Sequence, residues 1–574
     1  MITSMTKYSF ILLSGEKEQF LRSLQELGVV DISRSSKPVD DVSGRIVSDI
    51  EATRALIKCI TEGSDANLVQ LQSERLSLSR SLEDLSVWGD YDREKLSALG
   101  AKFYRVPKKS FRAEWEQSYA LQKVAEKDGS VWFVVVGDSE GFPLKELPAP
   151  QKTEAEVCYE LERLDARIES YRSDLEKRRA ELPALEEKVR SLYAELNVYL
   201  AGVTGRKAAE DSLVVFEGFA PSEEDARLRQ SFDNMDIYYV AESATASDNP
   251  PIKLKNNWFV RQFEPLTSMY GMPVYNEFDP TVFLSIFFLL FFSMCMGDMG
   301  YGLLLIAIGL FLRGKSGGLA NMWGLITILG AGTVIVGFVM GGLFGVSLPD
   351  QSWVPDWCKK LMITGDIEVG GNLYAKQMVL SLIIGVAHIC LAMVTKAVWA
   401  VRKDGFRDSL STLGWTLLIV GGVVGLVIGA FGVLPEAAIK WLLIGIAAVS
   451  ALGIFIFNKI GRNPLLNVGI GLWDTYSMVS GLMSDVLSYI RLYALGLSGG
   501  MLAQTFNQIA EMVRGTDPTW QWVPFVLILL VGHILNLAMS CLGAFVHPLR
   551  LTFVEYFKNS GYEGTGLKYN PLKK

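Results

Sequence analysis

Two hydrophobic periods divide this chain. Up to about residue 278, apolar residues recur at three- and four-residue steps among charged ones, and from Thr281 onward they merge into long runs. Runs of about 18 residues or more suit helices that cross a hydrocarbon core about 30 Å thick. In the first half the clearest seam is Leu161, Leu164, Ile168, Tyr171 and Leu175, continued by Leu182, Leu185, Val189, Leu192, Leu196 and Tyr199, with glutamate, lysine and arginine between. It predicts an amphipathic helix of about 45 residues over 153–200, kinked at Pro183. A weaker seam through Leu68, Leu71, Leu78, Leu82 and Leu85 predicts a partner over 46–90, so that the two close into a long antiparallel coiled-coil hairpin. Phe103 to Val106 and Val131 to Val136 predict strands of a small α/β lobe over 95–150. Tyr8 to Leu13, Val29 to Ile32, Leu213 to Phe216 and Ile237 to Val240 predict a second lobe, built from 1–45 with 205–250. The expected fold is therefore a cytosolic α+β strut over 1–278, followed by an α-helical membrane domain over 279–574.

Candidate spans cover 281–296, 301–312, 321–344, 377–400, 413–431, 441–457, 467–513 and 522–557. The first two are short and read as a hairpin turned at Gly297, Asp298 and Gly300, with Asp298 as a helix cap. Arg313, Lys315, Lys396, Arg402, Lys403, Arg407, Lys459 and Arg462 fall in alternate connections, and Asp350, Asp356, Asp366 and Glu368 in the long loop opposite. The positive-inside rule then places both termini in the cytosol. Met1 to Phe20 offers no basic segment leading into an apolar core, which agrees with a cytosolic first half. The last two spans are too long to stand upright, since about 45 residues reach nearly 70 Å. Either they tilt beyond the usual angle of about 20°, or the seventh breaks near Gly496, Gly499 and Gly500.

Polar residues on these two spans carry the candidate chemistry. Arg491 has only uncharged residues for about two turns on either side. A guanidinium at mid-membrane costs roughly 2.5 to 3.5 kcal/mol, which marks a functional position with a partner. Asp474, Ser484, Asp485, Ser488, Ser498 and Gln504 share its span, and Ser484, Ser488, Arg491 and Ser498 fall near one helical face. On the eighth span lie His533, Asn536, Ser540, His547, Arg550 and Glu555, with His547 and Arg550 three apart and hence neighbours.

A content of 50% hydrophobic residues and a mean hydropathy of +0.25 are too apolar for a soluble protein and too polar for one wholly within a membrane. The six cysteines lack metal or disulfide spacing, and with a net charge of -7 no basic stripe for nucleic acid is present. Gly309, Gly314, Lys315 and Ser316 match a phosphate-loop pattern, yet Leu310, Phe311 and Leu312 between them end a membrane span, so a chance match is the reading. The sequence has no nucleophile elbow, no metal motif and no sign of a cofactor, so the chain is not expected to be catalytic by itself.

Three stretches resemble the a/I subunit of the rotary V-type and archaeal-type ATPases. They are Asp279-Pro280-Thr281 leading to Met296-Gly297-Asp298-Met299-Gly300-Tyr301-Gly302; Tyr489-Ile490-Arg491-Leu492-Tyr493-Ala494-Leu495-Gly496-Leu497; and His547-Pro548-Leu549-Arg550-Leu551 through Val554-Glu555-Tyr556 to Tyr562-Glu563-Gly564. Val215-Phe216-Glu217-Gly218-Phe219 is a weaker likeness in the soluble half. The resemblance implies a stator that holds ion half-channels against a rotating proteolipid ring. Its partners would be peripheral-stalk, central-stalk and nucleotide-binding head subunits in a prokaryotic plasma membrane. Arg491, assisted by Arg550, would meet the ring carboxylates, while Asp474, Ser484, Asp485, Ser488, Gln504, His547 and Glu555 would line the access paths for H+ or Na+. Many members of that family carry a histidine two turns after the arginine, where this chain has Gly499, so a proton relay there is not expected. A secondary transporter or a coiled-coil membrane sensor is the competing expectation. A transporter should show matching internal repeats, which are not seen.

Overall fold

The computed structural model describes the whole chain except residues 1, 36, 63–65, 86, 89–92, 113, 128, 138–141, 143, 148–151, 153, 209, 211, 236, 315–321, 370, 433, 457–463, 515–521 and 574. It divides into two compact units. One comprises Leu12–Val215 with Leu572–Lys574, the other Met1–Ile11 with Phe216–Pro571.

In the first unit the heptad positions become two helix pairs. Helix α1 spans Lys17–Leu27, α2 Asp41–Glu62, α3 Ala66–Leu85, α4 Glu154–Arg178 and α5 Leu182–Thr204. Leu68 on α3 meets Leu164 and Ile168 on α4, and Ile50 on α2 meets Leu196 and Leu200 on α5. Leu68, Leu164, Ile168 and Leu196 are seam residues buried on the facing stripe, while Ile50 and Leu200 are buried beside Leu196 although the expected seam did not include them. A single tighter turn at Arg179–Glu181 separates α4 from α5, and Pro183 sits in the first turn of α5. That is the position where its missing N–H costs nothing, so the interruption falls just before the proline and not at it. Lys102–Pro107, Leu121–Lys127 and Ser130–Val135 form a three-stranded antiparallel sheet with Ser130–Val135 in the middle. Its alternate residues Tyr104, Val106, Val131, Phe133 and Val135 make a small core.

The second unit carries the membrane helices. Six helices among the described residues are long and apolar enough to cross a bilayer, and two shorter apolar ones precede them. The short pair is α6, Thr281–Met296, and α7, Met299–Leu312. The others are α8, Trp323–Met340; α9, Lys376–Asp404; α10, Leu410–Ala430; α11, Glu436–Ile456; α12 with α13, Pro464–Ser488 and Ile490–Arg514; and α14, Trp522–Ser560. Ahead of them, Met5–Leu13 pairs antiparallel with Tyr238–Ser243, with Tyr8 opposite Ala241.

The hairpin expected at Gly297 to Gly300 is present, and α7 continues into close packing with α8. A Cβ added at Gly330 would lie 2.8 Å from the Ile306 backbone nitrogen and 3.0 Å from the Gly302 carbonyl oxygen. Without a hydrophobic force between helices in lipid, such small residues let backbones approach and gain dispersion. Gly330→Ala should therefore lower the thermal stability of the detergent-solubilised protein, by roughly 1–3 kcal/mol for the overpacking. Unchanged unfolding in a melting experiment would refute that reading of the contact. Gly309 belongs to the same seam, facing Thr327 across the helix pair. The phosphate-loop match thus begins inside a packed helix, and its Lys315 and Ser316 lie outside the described residues.

Candidate functional site

The seventh expected span is interrupted at Tyr489, ahead of the glycines where the sequence suggested a break. The Tyr489 N–H bonds to the Val486 carbonyl and the Leu492 N–H to the Tyr489 carbonyl, at 3.1 Å each, so two tight turns separate α12 from α13. Arg491 follows directly. The eighth, α14, is irregular too: Pro548 lies inside it and a wider π turn occupies Leu551–Tyr556. Proline removes one rung of the helical ladder, and π turns of this kind recur at functional sites.

These irregularities bring two buried carboxylates together. Ser488 Oγ donates to Glu555 Oε1 at 2.8 Å, and the Asn559 amide donates to Asp485 Oδ2 at 2.9 Å and to the Glu555 carbonyl at 2.7 Å. Asp485 and Glu555 are 8% and 3% exposed, and the second carboxylate oxygen of Glu555 is buried without a partner among the described residues. A buried carboxylate with a free lone-pair face is costly unless water or an ion reaches it.

Arg491 is half-buried, and its Nη1 is enclosed with no hydrogen-bond partner among the described residues. The guanidinium lies within electrostatic reach of His547 and Cys295. Neither supplies a counter-charge, so among the described residues the guanidinium keeps a donor to spare. Arg550 is exposed and acts electrostatically on both His547 and Glu555.

Along α13, on the far side of Arg491 from Glu555, a cleft of about 310 Å3 is lined by Asp298, Gly345, Tyr493, Gly496 and Gln504 among others. Asp298 caps α7 as expected and also does more. Its Oδ1 accepts from the backbone N–H groups of Gly300, Tyr301 and Phe344 at 2.8, 3.3 and 2.9 Å, and its Oδ2 accepts from Gly345 at 2.9 Å. Beside the cleft runs a second polar network. Asn536 Nδ2 donates to Tyr301 Oη and to the Gly499 carbonyl at 2.9 Å each. Tyr301 Oη is 2.8 Å from His533 Nδ1, and His533 Nε2 is 3.0 Å from Asn507 Oδ1. Asn507 Nδ2 donates to the Phe344 carbonyl at 2.7 Å, so its Oδ1 faces His533 and accepts from the Nε2–H; in that neutral tautomer the tyrosine hydroxyl donates to Nδ1. At Gly499 a Cβ would lie 3.0 Å from Ser540 Oγ. Ser540 thus stands against the Gly499 position, whose carbonyl accepts from Asn536.

The sequence-derived residues therefore separate into groups. Asp485, Ser488 and Glu555 form one hydrogen-bonded cluster, with Arg491, His547 and Arg550 linked electrostatically. Gln504 lines the cleft, Ser484 and Ser498 are exposed, and Asp474 lies nearer the start of α12. Sequence reasoning missed Asn559 and His388. Asn559 was legible four residues after Glu555, and His388 as the one imidazole in an otherwise apolar run of α9.

The profile of the V-type ATPase 116kDa subunit family matches residues 150–330 and 474–574. The chain is 31% identical to the A-type ATP synthase subunit I of Methanocaldococcus jannaschii over 468 residues, covering 76% of this chain and 65% of that protein. It is 26% identical to the V-type ATP synthase subunit I 1 of Treponema pallidum along the whole of both chains. The A-type ATP synthase subunit I of Pyrococcus horikoshii is 32% identical over 340 residues, with 57% of this chain and 48% of that protein covered. The chain thus spans about two thirds of the first relative and about half of the third. The apolar helices and these relatives together indicate an integral membrane protein.

Proposed function

The chain belongs to the V-type ATPase 116 kDa subunit family, and on that footing we propose that it is the stationary, ion-translocating subunit of a rotary ATPase. The observation that carries the reading is Arg491, a permanent cation with an enclosed donor that has no hydrogen-bond partner among the described residues, set between two separate polar regions. A guanidinium stays protonated under all cellular conditions. Facing a ring of membrane carboxylates, Arg491 attracts each one as it passes, makes it release its bound ion, and bars direct leakage between the two regions. The Asp485, Ser488 and Glu555 cluster forms the inner access path with Arg550 and His547 at its mouth, and the cleft at Asp298 and Gln504 forms the outer one. Each charge crossing yields about 2.3 kcal/mol per 100 mV, so several crossings are coupled to each ATP.

In this reading α6 and α7 complete eight spans, the last two tilted, with both termini in the cytosol of a prokaryotic cell. The helix pairs over 41–204 form a coiled-coil strut in a domain reaching to about residue 278. The strut joins peripheral stalks, so that torque turns the proteolipid ring and not the stator. The transported ion is H+ or Na+. To test this, the tagged chain is extracted in mild detergent, its companions are identified by mass spectrometry, and ATPase activity is measured on the same sample. A small proteolipid, stalk subunits and a nucleotide-hydrolysing head are expected; the chain alone or as a homo-oligomer would reject the proposal.

A further inference from the structure

Outside the two polar regions, α9 holds a feature that the proposed mechanism does not use. His388 is 1% exposed, and its Nδ1 lies 2.9 Å from the hydroxyl of Tyr489, which is itself 0% exposed. The imidazole is sandwiched between two rings, with Tyr556 at 4.7 Å and 7° on one side and Phe287 at 4.2 Å and 32° on the other. One turn earlier on α9, Gly385 leaves room for the Tyr489 ring: a Cβ there would collide with it. Phe291 closes the pocket edge-on to the tyrosine at 5.7 Å.

Tyr489 is the residue at which α12 ends and α13 begins, two positions before Arg491. Tyr556 ends the π turn that presents Glu555. One side chain of α9 therefore grips both irregular points of the site. A helix break with no such anchor can slide or rotate by a fraction of a turn, and a guanidinium on a long side chain magnifies that error. A burial this complete for a polar ring also needs its hydrogen bond.

We propose that Gly385 and His388 form a socket for Tyr489, and that the three are positioning residues which hold Arg491 at the height and azimuth where it meets the ring carboxylates. The inference rests on the rotary reading above. It differs from a folding role in what it predicts: the barrier between the two access paths and the ions moved per ATP depend on the socket, at constant amount of assembled complex.

The test uses the whole complex in proteoliposomes. Tyr489→Phe keeps the ring in its pocket and loses only the hydroxyl, so it is the informative variant; His388→Leu removes the other partner and His388→Gln restores a hydrogen-bonding group. Subunit composition, ATPase in detergent, ions moved per ATP and passive ion leak are measured on each, with Arg491→Ala in parallel. Tyr489→Phe and His388→Leu should each raise the leak about fivefold, the scale of one buried hydrogen bond, and lower the ion-to-ATP ratio, with composition and detergent ATPase unchanged. The double variant should be no worse than His388→Leu alone, since Tyr489→Phe acts only through the contact that His388→Leu already removes, and His388→Gln should recover most of the coupling. Normal leak and coupling in Tyr489→Phe, alongside an uncoupled Arg491→Ala, overturns the socket alone. Loss of assembled complex in Tyr489→Phe also overturns it, because the contact is then one of folding. Normal coupling in Arg491→Ala overturns the rotary reading itself.

Discussion

Arg491→Ala should abolish ATP-driven ion uptake in reconstituted vesicles, by about a hundredfold or more, while the complex still assembles with normal subunit composition. The magnitude follows from the removal of a charged hydrogen-bonding partner from a half-buried site, worth about 3 kcal/mol. Stability should suffer little, since the Nη1 donor has no partner among the described residues to lose; this separates Arg491 from an ordinary buried charge, whose removal strands its counter-ion. Arg491→Lys should fall between alanine and wild type. Lysine keeps the charge but is a compact point donor without the planar fork that suits a carboxylate. Ion uptake measured with a pH-sensitive or sodium-sensitive dye, beside native electrophoresis of the complex, decides the matter. Full coupling in assembled Arg491→Ala would sink the proposed mechanism.

The second large effect is expected at Asp298, and its direction is opposite: stability should fail first and transport only in consequence. Both carboxylate oxygens are occupied by backbone N–H groups, from Gly300 and Tyr301 at the start of α7 and from Phe344 and Gly345 in the turn beyond α8. The residue is 2% exposed. Asp298→Ala leaves four donors unsatisfied, those of Gly300 and Tyr301 buried and those of Phe344 and Gly345 half-buried, each costing up to about 1–3 kcal/mol before relaxation. A net loss of about 3–5 kcal/mol is the reasonable expectation once water enters the cleft. Asp298→Asn should recover only part of this, because one of its two terminal atoms donates where the native oxygen accepts. Thermal unfolding in detergent and the yield of intact complex are the measurements. If Asp298→Asn were as stable as wild type yet dead in transport, the residue would instead be an ion ligand.

The contrast between these two residues shows what was legible in the sequence. Arg491 stood out because charge within a long apolar run is expensive and therefore informative, whatever the tertiary packing. Asp298 was readable as a cap because capping is local, but its hold on Phe344 and Gly345 depends on a turn about forty-five residues away that no local rule places beside it. The pairing of Leu68 with Leu164 and Ile168 followed the heptad spacing, whereas the pairing of α2 with α5 through Ile50 and Leu200 lay outside the seam read from the sequence. The break at Tyr489 did not follow from any breaker residue. Gly496, Gly499 and Gly500 were better candidates by intrinsic propensity, yet they lie within α13, where Gly499 leaves room for Ser540 and gives its carbonyl to Asn536. Tertiary packing of one tyrosine against α9 prevailed over propensity. The partnership of Ser488 with Glu555 was hidden for a related reason, as it joins two helices each of which is irregular at that level.

The π turn at Leu551–Tyr556 has one more consequence. An α-helix advances about 100° per residue, so a segment wound more loosely delays everything after it relative to that count. Helical-wheel arithmetic begun at His533 or His547 therefore goes out of phase before it reaches Glu555, Asn559 and Ser560, and those three are buried together all the same. The turn works as a phase coupler between two stretches of one helix. The portion up to Arg550 can keep its broad apolar flank, with Leu530, Ile534 and Leu542 outward, while the portion beyond turns its polar residues inward.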